Sequence, residues 1–292
     1  GFVSGKEEGP RMRVLILGAT GTLGQPVTRC LLDRGHRVRV LARNAQKARR
    51  MFGPDLDVAE GDSTSRGDLG EALAGCGAVH VSLPTESELV AVEHLVHLAE
   101  AGQAGDLRRI SYVSGTSVRE ENRWFHVIDV KARAEETLRG SGIPHTVFCP
   151  TWVMEVLLNF VRPDRAVVIE GKSPPGFHFF AAADFGRMVA VSYEDDRAMG
   201  KRLYIHGPQS ITLPEALRRF HEACLPQVKL VRLRPWQARL VARLTRNPSL
   251  GAVARLIAYF DTTDEHGNPT EANALLGAPN KTLETWIRSR TG

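Results

Sequence analysis

The sequence predicts an α/β protein whose main part is a doubly wound parallel sheet with helices on both faces. Six short apolar runs alternate with helix-like segments over residues 12–150, the pattern of successive strand–helix–strand units. A glycine-rich turn follows the first run. After Pro150 the strand-like runs become shorter, so we expect residues 151–292 to add late strands and a small C-terminal lobe that is not cleanly separable.

The predicted elements follow one another in a regular order. The first strand, Arg13–Leu17, is apolar and β-branched and ends at Gly18, as expected of a buried parallel strand. Helices are predicted through Leu32, around residues 45–51, from 86 to 101 and around 130–139. The five later strands have the sequences HRVRVLA, DLDVAEGD, AVHVSLP, RRISYVSG and HTVFCP. In the second half, helices are expected to begin near Asp184, Thr212, Pro235 and Thr282, with both threonines as N-caps.

Composition and charge exclude several classes of protein. A net charge of +5 over 292 residues is small for a nucleic-acid binder, so no nucleic-acid partner is expected. Four widely spaced cysteines without a CxxC pair indicate reduced thiols and a cytoplasmic location. No run approaches the ~18 apolar residues that span a bilayer. Residues 1–11 are polar and glycine-rich and are expected to be a tag or a disordered extension. The sequence does not indicate an oligomeric state.

The glycine-rich turn, LILGATGTLGQPV, indicates a phosphate-binding loop. It places Gly18, Gly21 and Gly24 between a strand and a helix, where such glycines allow a tight turn, close approach to a pyrophosphate and close helix packing. Free N–H groups at the helix start favour an anion. The alternative is an ordinary strand-to-helix turn. We expect a Rossmann-type sheet that binds a dinucleotide.

The end of the second strand predicts which dinucleotide is bound. NAD-binding sheets usually carry a carboxylate there, because it accepts from the ribose 2′-hydroxyl. This sequence has LARNAQKARR instead, and Arg43 suits a 2′-phosphate. Lys47 and Arg50 either add to this charge or form a solvated basic helix face. The predicted cofactor is therefore NADP (NADPH).

Several segments in order resemble the atypical short-chain dehydrogenase/reductases of the NmrA-like, isoflavone-reductase-like group. They are GATGTLG at 18–24, LARN, EGD at 60–62, SLP at 82–84, YVSG at 112–115, Lys131 on its helix, and SGIPHTVFCPTWVME at 141–155. The resemblance covers about 140 residues and is much more specific than any single motif. It implies NAD(P) binding and a small-molecule substrate held by the C-terminal substrate lobe.

The resemblance also implies individual cofactor contacts. Thr20, Thr22 and Leu23 would line the diphosphate loop, and Asp62 and Ser63 would lie beside the adenine. The remaining positions would follow the cofactor toward its nicotinamide end, against the alternative of ordinary strand-end packing: Leu83, Pro84, Pro150, Thr151 and Trp152.

The chain departs from the wider superfamily at its catalytic pair. Typical members use Tyr-x-x-x-Lys, and Val127 occupies the tyrosine position here. Lys131 is expected to bind the nicotinamide ribose and to stabilise an oxyanion, against the alternative of a solvated helix lysine. His126 is a candidate proton donor or an exposed loop histidine. Ser114, at the end of the fifth strand, either contacts nicotinamide or substrate or caps a turn.

Two further patterns have structural interpretations. His94 and His97 are three residues apart without a third ligand nearby, which favours a helix face over a metal site. Residues 223–260 carry seven basic residues and no acidic ones. Their helical segment is amphipathic, and we expect Trp236, Leu240 and Leu244 to pack within the fold, so that the stretch is not a membrane anchor.

Three functions fit these features. The first is an NADPH-dependent reductase of a small carbonyl, quinone or conjugated substrate, with Trp152, Met154, Phe177, Phe179 and Phe180 as pocket walls. The second is a non-catalytic NADP-binding redox sensor that acts through a protein partner. The third is an accessory assembly protein. The NmrA-like branch contains reductases and sensors, so the resemblance leaves these functions open.

Overall fold

The computed structural model describes residues 12–246 and 248–291, and the expected extension at residues 1–11 lies outside them. The chain forms two compact units. The first contains residues 12–149, 185–203 and 274–277, and the second contains residues 150–184, 204–246, 248–273 and 278–291. The chain therefore passes between the units more than once.

The described residues form twelve strands, and the first six are those predicted for the first 150 residues. The strands are β1 (Arg13–Leu17), β2 (Arg37–Ala42), β3 (Asp57–Glu60), β4 (Ala78–Val81), β5 (Arg109–Val113), β6 (His145–Pro150), β7 (Val161–Arg162), β8 (Arg165–Ile169), β9 (Gly176–His178), β10 (Arg202–Ile205), β11 (Ser210–Thr212) and β12 (Lys229–Leu233). Seven of them form one sheet in the order β10-β6-β5-β4-β1-β2-β3. Among β1 to β6, all neighbouring strands in this sheet are parallel. This order confirms the predicted Rossmann-type fold.

Helices flank the sheet, as the alternating pattern predicts. They are α1 (Gly24–Asp33), α2 (Ala45–Phe52), α3 (Arg66–Leu73), α4 (Thr85–Glu100), α5 (His126–Gly140), α6 (Ala182–Ser192), α7 (Leu213–Cys224), α8 (Pro235–Leu244), α9 (Pro248–Phe260), α10 (Thr270–Leu276) and α11 (Leu283–Thr291). The central strands are covered on both faces, so every residue of β4 and β5 is buried. All four cysteines are free of disulfides, as expected.

Helix α5 begins earlier than the sequence pattern indicates. Its first residue is His126 instead of a residue near 130, because the carbonyl of the extended Phe125 already accepts from the N–H groups of Ile128 and Asp129. Val127 and Lys131 consequently lie one turn apart in the same helix. Helix α3 has no counterpart in the prediction, although Ser65 caps it by accepting from the Asp68 N–H group.

The second unit has its own apolar core and two small sheets. Strand β9 pairs with β11, and β8 lies between β7 and β12. Trp152, Met154, Phe177 and Phe179 are all buried in this core. The Trp152 ring contacts the rings of Phe177 and Phe179, with centroids 6.1 and 6.3 Å apart. All four side chains therefore lie in the interior of the second unit.

Helix α8 contradicts the packing expected for the basic stretch. Trp236, Leu240 and Leu244 are 59%, 49% and 75% exposed, so they do not form part of the core. The buried residues of the helix are Ala238 and Ala242, and α8 packs against the neighbouring α9. An apolar stripe with a four-residue spacing thus faces outward. Among the described residues, no helix is both long and apolar enough to cross a membrane.

Candidate cofactor site

A cleft of about 870 Å³ lies at the carboxyl ends of β1, β2, β3 and β4 in the first unit. Open parallel sheets bind ligands at this edge, where the strand order reverses beside β1. The lining comes from four segments, one after each strand. It consists of residues 18–23, residues 40–44 with Lys47, residues 61–64, and residues 82–84 with Glu86 and Ser87. The cleft thus contains the phosphate loop, Arg43, Asp62, Ser63, Leu83 and Pro84, which the sequence singled out.

The three loop glycines have different physical roles. Gly18 has a positive φ of 87°, and a β-carbon there would lie 2.0 Å from the Ser82 carbonyl oxygen. A β-carbon on Gly24 would lie 2.1 Å from the Gly18 carbonyl oxygen. These two positions must be glycine for the backbone segments to approach one another. A β-carbon on Gly21 would meet only the Gly18 carbonyl oxygen, at 3.3 Å, so this position is open on its other sides.

The start of α1 is suited to an anion. Its N-cap, Leu23, supplies no side-chain hydrogen bond, and the first turn carries no acidic residue. The first N–H groups of a helix lack partners within the helix, and the helix dipole makes this end positive. The Gln25 N–H already donates to the Gly21 carbonyl oxygen at 3.0 Å and Pro26 has no N–H, so a diphosphate placed against the glycine loop would accept from the N–H groups that precede Gln25.

Arg43 places a positive charge in the cleft lining just after β2. Its side chain is exposed, and no carboxylate in residues 12–246 or 248–291 lies within ion-pair distance of it. Lys47 also lines the cleft, and its backbone N–H donates to the Asn44 side chain at 2.8 Å, which caps α2. Arg50 is exposed and is absent from the cleft lining. Arg43 and Lys47 are thus available to a phosphate.

Asp62 is held by a local turn. Its carboxylate accepts from the Thr64 backbone N–H at 2.9 Å and from the Thr64 hydroxyl at 2.8 Å. These bonds, with a smaller contribution from the charge of Arg43, lower the pKa of Asp62. The carboxylate is therefore ionised near neutral pH, and its turn fixes the backbone of Asp62 and Ser63 at the rim of the cleft.

Lys131 is anchored by a buried carboxylate that the sequence analysis did not single out. Its Nζ donates to Glu88 Oε2 at 2.9 Å and to the Val113 carbonyl oxygen at 3.1 Å. The Tyr112 hydroxyl donates to the same Glu88 oxygen at 2.9 Å. The Glu88 side chain is only 1% exposed, so this charge requires a partner. The ammonium is thereby fixed beside the carboxyl end of β5, with one N–H still free of these two bonds.

The other proposed catalytic side chains lie in different surroundings. His126 is exposed at the first residue of α5. The Ser114 hydroxyl is buried and donates to Glu135, which also pairs with Arg202 at 3.0 Å. Lys131, His126 and Ser114 are not among the residues that line the cleft. Burial and Glu88 raise the pKa of Tyr112 well above its usual value, so this neighbouring tyrosine does not replace the missing one.

The three residues predicted at the nicotinamide end belong to the second unit. Pro150 ends β6 and is buried. The Thr151 hydroxyl donates to Glu265 at 2.8 Å. Trp152 is 9% exposed and packs against the Phe260 ring at 4.9 Å. Their contact with a cofactor remains a prediction.

A match to a protein-family model shows the family to which the chain belongs. A family model described as NAD(P)H-binding matches residues 18–173, which is more than half of the chain. This chain belongs to the NAD(P)H-binding family. The match begins at the first loop glycine and includes the whole cleft lining.

The chain is also similar to individual known proteins. A probable pinoresinol-lariciresinol reductase from Arabidopsis thaliana is 26% identical over 222 residues, covering 70% of this chain and 71% of the relative. The photosystem II assembly factor Ycf39 of Guillardia theta is 30% identical over 145 residues, but the chain spans only 45% of its length. An NADPH-dependent quinone oxidoreductase from Escherichia coli, solved with NADPH, is 18% identical with a TM-score of 0.76, covering 96% of this chain and all of that one.

The family match confirms the predicted NAD(P)H-binding family and the NAD(P)H cofactor, and the reductase from Arabidopsis thaliana supports the predicted oxidoreductase class. The structural likeness, at 18% identity, shows the fold alone.

Proposed function

We propose that this chain is an NADPH-dependent reductase that transfers a hydride to a small carbonyl, quinone or conjugated substrate without the tyrosine of a Tyr-x-x-x-Lys pair. The cofactor cleft is the observation that most supports this proposal. It is bordered by the open Gly21 position, the start of α1 and the guanidinium of Arg43. These groups suit a diphosphate and a 2′-phosphate. The probable pinoresinol-lariciresinol reductase, whose match covers 70% of this chain and 71% of the relative, supports the reaction class.

The chain's own residues would hold the cofactor at three places. The loop from Gly18 to Gly24 would bind the diphosphate, Arg43 would pair with the 2′-phosphate, and Lys131 would bind the nicotinamide ribose. NADPH, when bound, supplies the hydride. Glu88 and the Val113 carbonyl fix Lys131 Nζ in place. This anchoring reduces the conformational entropy that the lysine would otherwise lose on contacting a ligand.

A negative charge develops on the substrate oxygen when its carbon accepts hydride, and a positive group is needed beside it. Lys131 Nζ can stabilise that oxyanion, since its remaining N–H is free of Glu88 and Val113. The proton that completes the reaction would come from water, from His126 or from Lys131 Nζ. Tyr112 is unsuited to this step, because its hydroxyl is buried and already donates to Glu88.

Steady-state oxidation of NADPH with a panel of quinones, enones and aldehydes tests the proposal. Lys131→Met should lower turnover by about 100-fold, the scale of losing one electrostatic stabiliser, and should weaken NADPH binding modestly. His126→Ala should have a smaller effect, because solvent can supply the proton. Arg133→Met is the matched control, since it removes an exposed charge from the same helix two residues further on. Wild-type turnover by Lys131→Met would refute the catalytic role of the lysine.

A second candidate function is favoured by α8. The exposed stripe of Trp236, Leu240 and Leu244 is of the kind that protein partners cover, which suits an NADP-binding sensor or an assembly factor. The assembly factor among the relatives supports the same alternative. Tight NADPH binding without oxidation by any member of the panel would favour this function over the reductase.

A further inference from the structure

Three potential metal ligands converge in the second unit, and none of them is among the residues that line the cofactor cleft. They are His178, the last residue of β9, His206, the first residue after β10, and Glu265, which lies between α9 and α10. One ligand atom from each lies within 4.8 Å of the other two. No sequence motif links these three residues, because 28 and 59 residues separate them along the chain.

The backbone holds the two histidine segments together. The Gly207 N–H donates to the His178 carbonyl oxygen at 2.8 Å. A β-carbon on Gly207 would lie 1.7 Å from the Phe179 carbonyl oxygen, so glycine is required for this approach. The two imidazole rings stack with centroids 5.5 Å apart and an interplanar angle of 16°. The positions of the histidines are therefore set before any ligand binds.

Glu265 presents one anchored oxygen and one that faces the histidines. Its Oε2 accepts from the Thr151 hydroxyl at 2.8 Å and from the His178 backbone N–H at 2.9 Å. Its Oε1 contacts His178 Nδ1 and lies 4.0 Å from His206 Nδ1. The side chain is only 12% exposed. This orientation resembles that of a carboxylate ligand fixed by outer hydrogen bonds.

His206 is oriented in the same way. Its Nε2 lies 3.2 Å from the His266 carbonyl oxygen, which can only accept, so Nε2 carries the proton. In the neutral ring the lone pair is then on Nδ1, the atom that faces Glu265 Oε1. A histidine that donates one ring N–H to a carbonyl and directs its other nitrogen inward has the usual arrangement of a metal ligand.

We propose that His178, His206 and Glu265 form a binding site for a divalent transition metal of the zinc type. Two imidazoles and one carboxylate suit such a metal, whereas Mg²⁺ and Ca²⁺ prefer oxygen ligands only. Neighbouring ligands in a tetrahedral zinc site are about 3.3 Å apart, so modest side-chain rotations bring the three atoms into place. The 38% exposure of His178 gives the ion access and leaves a fourth position to water. The site goes beyond the reductase function and does not depend on it.

Calorimetric titration of the metal-stripped chain with ZnCl₂ tests the proposal, with Co²⁺ absorption as an independent measure of coordination. The wild type should bind one Zn²⁺ per chain and show the intense visible bands of tetrahedral Co²⁺. His206→Gln and Glu265→Gln should each weaken binding at least 100-fold. Thr151→Val keeps all three ligands but releases Glu265, and should weaken binding by about 10- to 100-fold. His97→Gln, which removes an exposed histidine from α4, is the control and should bind as the wild type does.

Two outcomes would overturn the site. Zn²⁺ affinity in His206→Gln equal to that of the wild type would show that the ion binds elsewhere, and a wild type without tetrahedral Co²⁺ bands would show that no such site forms. Circular dichroism in EDTA checks that each variant is folded. If a ligand variant does not fold, Thr151→Val decides, because unchanged affinity in that variant contradicts the role of Glu265. Titration of each variant with NADPH keeps this result separate from that of the reductase proposal.

Discussion

The phosphate loop of the first unit and the cluster of His178, His206 and Glu265 in the second unit are built in opposite ways. The phosphate loop lies within seven consecutive residues, Gly18–Gly24, and backbone geometry decides its shape. The cluster draws Thr151, His178, His206 and Glu265 from four distant segments. A site of the first kind is encoded locally and leaves a sequence pattern, whereas a site of the second kind exists only after the unit has folded.

Replacing Gly18 tests whether the backbone sets the shape of the phosphate loop. Gly18→Ala would place a β-carbon 2.0 Å from the Ser82 carbonyl oxygen at a φ of 87°. Such a clash with backbone should destabilise the protein by more than about 3 kcal/mol, because neither segment can move without disturbing β1 or β4. Thermal unfolding followed by circular dichroism measures the loss. A melting temperature equal to that of the wild type would show that the loop tolerates side chains and is not set by its backbone.

Gly21→Val separates binding from folding at the same loop. A β-carbon here would meet only the Gly18 carbonyl oxygen, at 3.3 Å, so the protein should remain folded. The space for the diphosphate would be lost, and NADPH affinity should fall at least about 100-fold, the equivalent of nearly 3 kcal/mol. Fluorescence titration with NADPH provides the measurement. Normal binding by a folded Gly21→Val variant would place the cofactor elsewhere.

Arg43 tests whether cofactor choice is also encoded locally. Removing its charge-assisted contact to a 2′-phosphate should cost about 1.5–3 kcal/mol, or roughly ten- to a hundred-fold in NADPH affinity. NADH affinity should stay unchanged in Arg43→Ala, since NADH has no such phosphate. Arg50→Ala, on the same basic segment but outside the cleft lining, is the matched control. Equal affinities of the wild type for NADPH and NADH would remove Arg43 from this role.

Lowering the pH should reduce the free energy of unfolding because of a buried histidine in the first unit. His80 lies within β4, fully buried, with Nδ1 2.7 Å from the Ser111 hydroxyl. Burial lowers the pKa of His80 from 6.5 to about 3, so the unfolded chain takes up the proton first. Stability is fully present above pH 6.5 and should fall by up to about 1.4 kcal/mol per unit as the pH drops toward 3.

Unfolding by urea at several pH values measures this slope. His80→Asn should flatten it, whereas His97→Asn, at an exposed position on α4, should leave it unchanged. Equal slopes in the wild type and in His80→Asn would assign the acid sensitivity to other groups.

The sequence was sufficient where short-range rules apply. The six strands of the first 150 residues, the three glycines and the basic end of β2 are local patterns, and they are found where they were predicted, whereas α3 was not predicted and α5 begins earlier than expected. Glu88 could not be assigned to Lys131, because 43 residues separate them and only the packing of α4 beside α5 joins them. The pattern of α8 was amphipathic, but it did not reveal that Ala238 and Ala242 form the buried side. These alanines contribute less to the hydrophobic pattern than Trp236, Leu240 and Leu244, yet the alanines are the buried residues.

Single-turnover oxidation of bound NADPH by the wild type and by Gly21→Val tests the central claim most directly. With at least one quinone, enone or aldehyde, the wild type should oxidise one NADPH for each acceptor molecule reduced, while folded Gly21→Val should oxidise none at the same cofactor concentration. Oxidation at the wild-type rate by Gly21→Val would contradict the assignment of the cleft. Tight binding by the wild type without oxidation of NADPH by any acceptor would contradict the reductase.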